Sequence, residues 1–245
     1  MAELEIQTKR VTVPNGELNI DAYLATPQTE EPCSAIIVIQ EIFGVNAHIR
    51  DVTERIAKLG YLAIAPAIYQ RQAPGFEVGY TAEDLALGRK YKEQTTAAEL
   101  LSDVRATIQY LKSFDQVRPD GFGTIGFCFG GHVVYLAATL PEVKATASFY
   151  GAGIATGTPG GGEPTITRTA EIQGVLYGFF GTEDPLIPNE HVDQIEAELQ
   201  NCQIRHQIFR YPADHGFFCD QRQSYNPEAA VDAWQHVQQL FAQSL

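Results

Sequence analysis

The chain opens with two stretches, residues 4–13 and 17–25, in which apolar and polar positions alternate, separated by Pro14-Asn15-Gly16. A period of two on either side of an Asn-Gly turn predicts an antiparallel hairpin. The pattern then changes. Residues 35–39, 61–65, 123–127, 145–150, 175–180 and 205–211 form short apolar runs without alternation, as parallel strands covered on both faces would. Between them, residues 49–59 stop at Gly60, and residues 95–114 place Leu100, Leu101, Val104, Ile108 and Leu111 at helical spacing. Residues 131–140, 188–199 and 227–245 complete the set of helices, the last two opening on proline. Strands alternating with helices predict an α/β fold with a mostly parallel sheet. Connections are long only at 70–84 and 151–171, and no linker or internal repeat divides the chain, so a single domain over 1–245 is expected. Gly160-Gly161-Gly162 in the second connection lacks the Lys-Ser/Thr pair of a phosphate loop and the spacing of a dinucleotide site. It reads as a mobile surface loop.

Composition narrows the function. With 17 basic and 30 acidic residues among 245, the net charge is −13. Such a balance opposes nucleic acid and anionic membrane as partners, since both need a basic surface. It leaves room for an anionic small molecule, because one arginine in a pocket overrides the net sign locally. The four cysteines, Cys33, Cys128, Cys202 and Cys219, contain no C-x-x-C pair, so no zinc knuckle or redox dithiol is expected. Glu3 and Glu5 near the start, and the absence of an apolar leader, argue against a signal peptide. The longest apolar run, 35–39, falls far short of the ~20 residues of a spanning helix. A cytoplasmic protein with reduced thiols is expected.

Candidate chemistry centres on Gly126-Phe127-Cys128-Phe129-Gly130-Gly131, which ends a predicted strand and opens a predicted helix. A nucleophile elbow needs this arrangement: small residues flank a tight turn and the apex side chain projects at the positive end of a helix. The apex here is Cys128. The ordinary reading of a free thiol is a buried packing residue, but an elbow predicts its own partners, an acid and then a histidine, in that chain order. Asp184 follows the run 175–180, and His215 follows the run 205–211. Asp184 would orient the imidazole of His215, which would take the thiol proton and later activate water. Glu183 and Asp214 are weaker candidates for the acid. His48, His132, His191, His206 and His236 read as surface or packing residues, and none forms a metal motif.

Residues 40–46 (Gln40-Glu41-Ile42-Phe43-Gly44-Val45-Asn46), 65–75, 126–131, Asp184 and His215-Gly216-Phe217 together resemble the dienelactone hydrolase (carboxymethylenebutenolidase) family of the α/β-hydrolase superfamily. The resemblance implies an α/β-hydrolase fold and a Cys128–Asp184–His215 triad. It implies that Glu41 accepts the Cys128 proton when substrate arrives, and that the backbone N–H groups of Ile42 and Phe129 form an oxyanion hole. A thiol nucleophile suits an activated ester or an enol lactone, without metal or organic cofactor. A monomer acting on a small-molecule ester or lactone is expected. Relatives that act on dienelactone hold a substrate carboxylate with two arginines, one of them four positions after the catalytic histidine. That position here is Cys219. Arg89, then Arg71, are the available counterparts of the other arginine, Arg222 can replace the missing one if its loop folds back, and Tyr91 is a possible hydroxyl partner. The change at position 219 keeps open a general carboxylesterase or thioesterase acting on neutral esters. A non-catalytic binding scaffold is the remaining alternative.

Overall fold

The computed structural model describes residues 4–29 and 31–245; Glu3, used above against a signal peptide, lies outside them. Strands β1 (Ile6–Asn15) and β2 (Leu18–Pro27) form the expected hairpin. The two-residue loop is Gly16-Glu17, one position later than the sequence suggested, with Gly16 at φ 62°. A type II′ turn wants glycine with positive φ at its first loop position. Asn15 then donates from Nδ2 to the side chains of Ser102 and Asp103, fastening the hairpin to helix α3 (Ala97–Leu111).

The remaining strands are β3 (Cys33–Ile39), β4 (Leu62–Pro66), β5 (Val117–Phe127), β6 (Val143–Phe149), β7 (Val175–Gly181) and β8 (Arg205–Tyr211). With the hairpin they make an eight-stranded sheet in the order β1-β2-β4-β3-β5-β6-β7-β8. The pairs β1/β2 and β2/β4 are antiparallel and every other pair is parallel.

The lack of alternation in β3 has a direct cause. Ile36 and Val38 enter one core, while Ala35, Ile37 and Ile39 enter another on the opposite face. Helices α1 (Ala47–Lys58) and α6 (Pro227–Ser244) feed the first with Ile49, Val52, Ile56, Val237 and Leu240. Helix α3 feeds the second with Leu100, Val104 and Ile108, and α4 (Phe129–Ala137) adds Val133 and Leu136. Each such side chain, moved fully out of water, stabilises the fold by about 1.5–3 kcal/mol. Strand β8 differs from expectation. It is a sheet edge, with Arg205, Gln207 and Arg210 exposed between less exposed neighbours, so both of its faces are only partly covered.

Two further helices were not read from periodicity or were read with other bounds. Helix α5 spans Asn189–Asn201, with Pro188 before it rather than inside. Helix α2 (Ala82–Lys92) has no counterpart in the apolar periodicity; its only buried residue is Gly88. The glycine-rich connection continues into a 3₁₀ helix at Thr165–Glu171, whose Thr165 and Thr169 are buried.

Candidate active site

Chain order along the sheet reverses between β3 and β5: β4 lies on one side of β3 and β5 on the other. Helices after the two strands leave on opposite faces, and the crevice at their carboxyl ends is where such sheets hold ligands. Glu41 stands just past β3 and Cys128 just past β5. Asp184 follows β7 and His215 follows β8, so all four sit at one end of the sheet.

Cys128 occupies the turn between β5 and α4 at φ 56° and ψ −117°. A non-glycine residue there carries strain of about 1–3 kcal/mol. The surroundings hold it in place: a Cβ on Gly126 would fall 2.1 Å from the carbonyl oxygen of Gly130, so strand and helix meet only through glycine. Phe129 is the first residue of α4, and its N–H, like the others of a first helical turn, has no acceptor within the helix. Both Ile42 and Phe129 line the cleft beside Cys128.

His215 is 6% exposed and its Nδ1 lies 2.7 Å from Asp184 Oδ2. The other carboxylate oxygen of Asp184 accepts the backbone N–H of Leu186 at 2.8 Å. Asp184 is therefore both a turn residue and the partner of the imidazole. Asp214 turns back onto the backbone N–H of its neighbour His215 rather than onto the ring, and Glu183 is exposed. Burial opposes a charge on His215, but charge on Cys128 and the bond to Asp184 outweigh it and raise His215 to about 10. Its Nε2 is buried and has no hydrogen-bond partner.

Glu41 is fully buried. Its Oε1 accepts Arg222 Nη1 at 2.9 Å, and its Oε2 has no partner. Burial raises the Glu41 carboxyl above its ordinary range, against the opposing pull of Arg222 and His215. The loop after His215 thus folds back and delivers Arg222 to the cleft. Gly216 makes room for it, since a Cβ there would lie 2.3 Å from the Arg222 guanidinium.

A cleft of ≈950 Å³ covers Cys128 and His215, and Arg89, Lys92 and Arg222 stand on its walls. Two expected substrate residues are elsewhere. Arg71 pairs with the buried Asp103 and with Glu99, because a buried carboxylate on α3 demands a cation. Tyr91 packs its ring against Phe76 and Tyr69 and does not line the cleft. Cys219 is buried, its thiol 3.2 Å from the Tyr80 hydroxyl, and burial raises it to about 11.

Sequence reasoning missed Lys92, although it follows Arg89 by three positions and so shares its helix face. It also missed Tyr80, which lines the cleft, and Tyr150, whose ring meets His215 edge-on at 5.1 Å. Among the remaining histidines, His132 bonds to Ala152 and Thr165 inside α4's packing. His206 bonds Ile204, and His236 stacks on Phe209. His191 is half-buried on α5, and His48 is buried on α1 with its imidazole lowered to about 3 by desolvation.

Comparison with known proteins matches this architecture. The model of the dienelactone hydrolase family covers residues 20–245. A Synechocystis protein provisionally named a carboxymethylenebutenolidase is 62% identical over 243 residues, 99% of each chain. An Escherichia coli K12 protein of the same provisional name is 32% identical, covering 95% of this chain and 85% of that one. The crystal structure of a protein from Klebsiella pneumoniae, provisionally described as a dienelactone hydrolase, superposes with a TM-score of 0.89 at 31% identity, over 98% of this chain and 99% of that one. With an eight-stranded mixed sheet flanked by helices and this extent of likeness, the chain belongs to the dienelactone hydrolase family, hydrolases of the α/β-hydrolase fold.

Proposed function

We propose that this hydrolase cleaves a small activated ester or lactone of the dienelactone type through a thioester on Cys128. The observation that carries the reading is the Asp184–His215 bond of 2.7 Å at the cleft that also holds Cys128 at the strained elbow. The sulfur of Cys128, as thiolate, attacks the acyl carbon, and the carbonyl electron pair moves onto oxygen facing the N–H groups of Ile42 and Phe129. The carbonyl re-forms as the bond to the leaving enolate breaks, and the His215 imidazolium protonates that group. Neutral His215 then takes a proton from water, whose oxygen attacks the thioester and releases the thiolate. Asp184 fixes the ring throughout. Glu41, half-tied to Arg222, accepts the thiol proton of Cys128 when substrate arrives and returns it to the thiolate once the acid product is released.

Three cations on the cleft wall, Arg89, Lys92 and Arg222, support a substrate that carries a carboxylate. A second reading, neutral esters or thioesters, is favoured by two observations: the side chain at 219 is uncharged, and Arg222 is already bound to Glu41. One sheet running through the chain supports a single domain, and four free cysteines support a reducing, cytoplasmic setting. Among the described residues, no helix is long and apolar enough to cross a membrane.

The test compares kcat/KM on dienelactone and on a neutral aryl ester, with Cys128→Ala as the blank. A dienelactone rate well above the blank and above the neutral ester is expected. Turnover of the neutral ester alone moves the substrate to the second reading. No acylation of Cys128 by either ester leaves only a binding scaffold.

A further inference from the structure

Three side chains of different donor chemistry converge beneath the cleft: Glu41 past β3, His48 in the first turn of α1, and Cys219 in the loop after β8. All are buried, and their ligand atoms lie within 4.8 Å of one another. Two features distinguish the trio from ordinary packing. Glu41 Oε2 and His48 Nε2 are buried polar atoms without a hydrogen-bond partner, and native interiors rarely leave such atoms unpaired. In addition, each group is already held from behind. Arg222 holds Oε1 of Glu41, leaving Oε2 free. Tyr80, itself bonded by Asn46 Nδ2 at 3.1 Å, holds the thiol of Cys219. The His48 ring is set edge-on to Phe127 at 5.6 Å and Phe218 at 6.2 Å. Ligands of metal sites are oriented by outer hydrogen bonds as Glu41 and Cys219 are here.

We propose that Glu41, His48 and Cys219 form a binding site for a borderline-soft divalent cation of the zinc class. One oxygen, one imidazole nitrogen and one sulfur suit Zn²⁺ with a fourth position open to water, whereas Ca²⁺ and Mg²⁺ want oxygen donors alone. Bonds of about 2.0–2.3 Å put tetrahedral donors roughly 3.3–3.8 Å apart, so the side chains close by about 1 Å on binding. The metal–sulfur bond replaces the S–H bond of Cys219, and the proton leaves to solvent. The Tyr80 hydroxyl then donates to the thiolate. A separate cavity of ≈350 Å³, lined by His48 together with Asp51, Asp220 and Arg55, reaches the His48 side of the trio from outside the cleft. Binding itself is independent of the catalytic reading. Its consequence rests on that reading: a carboxylate bound to metal no longer takes the Cys128 proton, so the cation inhibits hydrolysis.

The probe is Co²⁺, which reports thiolate ligation by charge-transfer absorption in the near ultraviolet, titrated into the full chain carrying Cys128→Ala. One equivalent with that band is expected. Cys219→Ser should abolish the band, and His48→Gln should weaken affinity at least about tenfold, each checked for folding by circular dichroism. If Cys219→Ser does not fold, His48→Gln decides. Absence of the band with Cys128→Ala, its survival in folded Cys219→Ser, or unchanged affinity in folded His48→Gln overturns the site. In the Cys128-bearing chain, Zn²⁺ should inhibit ester hydrolysis and a chelator should restore it. Co²⁺ binding with no effect of Zn²⁺ on hydrolysis would leave the site standing and remove Glu41 from the catalytic reading.

Discussion

Two buried carboxylates flank Cys128, each paired with a cation-forming partner, and they are built differently. Asp184 has both oxygens engaged, one by His215 and one by the N–H of Leu186. Glu41 has one oxygen engaged by Arg222 and one with no partner. A carboxylate with both oxygens engaged by rigid neighbours can only orient what it touches. One with a free oxygen in a dry site can change partner, because the exchange gains a bond instead of trading one. The difference assigns a fixed role to the first pair and a movable one to the second.

Breaking the fixed pair should have the largest effect. Asp184→Asn keeps the shape but no longer selects the right tautomer or supports the imidazolium, and kcat should fall about 10³–10⁴-fold, read by steady-state hydrolysis. A loss under tenfold would show that Asp184 does not orient His215. Breaking the movable pair should be felt first in stability. Arg222→Met strands a fully buried carboxylate, at a cost near the low end of about 3–5 kcal/mol because Arg222 is partly exposed. Denaturant unfolding should show it, and adding Glu41→Gln should recover most of the loss. Glu41→Gln alone should reduce kcat about 10²-fold, the low end of what a positioned proton acceptor contributes. An unchanged rate would remove Glu41 from the mechanism.

The smallest effect is on the pH profile. The sequence suggests an acid limb near the ordinary histidine value of ~6.5. The site instead raises His215 to about 10, so the ring stays protonated through neutrality. Activity should be flat through pH 6.5 and decline as pH approaches 10, where the proton needed by the leaving group is lost. Asp184→Asn removes one of the raising influences and should shift that alkaline limb downward. An acid limb centred near 6.5 would show that His215 works from its neutral form.

How much of this the sequence revealed depends on whether a feature is local. The elbow and the acid and histidine that follow later strands are legible because each sits at a strand-to-turn transition, written in neighbouring residues. Helix α2 left no apolar stripe, since only Gly88 is buried; its legible mark was the capping box of Thr81 and Asp84. The pairing of Arg222 with Glu41 joins residues 181 positions apart, and that of Arg71 with Asp103 is settled by a neighbouring helix. No spacing rule encodes either. The edge position of β8 does have a local mark, since charged and polar residues at 205, 207 and 210 interrupt its apolar run.

The turn that carries Cys128 is defined by backbone crowding on both sides, with the unusual φ confined to one residue. In the proposed mechanism, place and identity of the nucleophile are therefore separable. The main chain decides where an attacking atom stands, and the side chain decides how readily it leaves again. A hydroxyl installed by Cys128→Ser would inherit the location, the neighbouring N–H groups and the imidazole, and under the proposed mechanism would form an oxygen ester in place of a thioester. The range of leaving groups this scaffold tolerates is then set by a single atom.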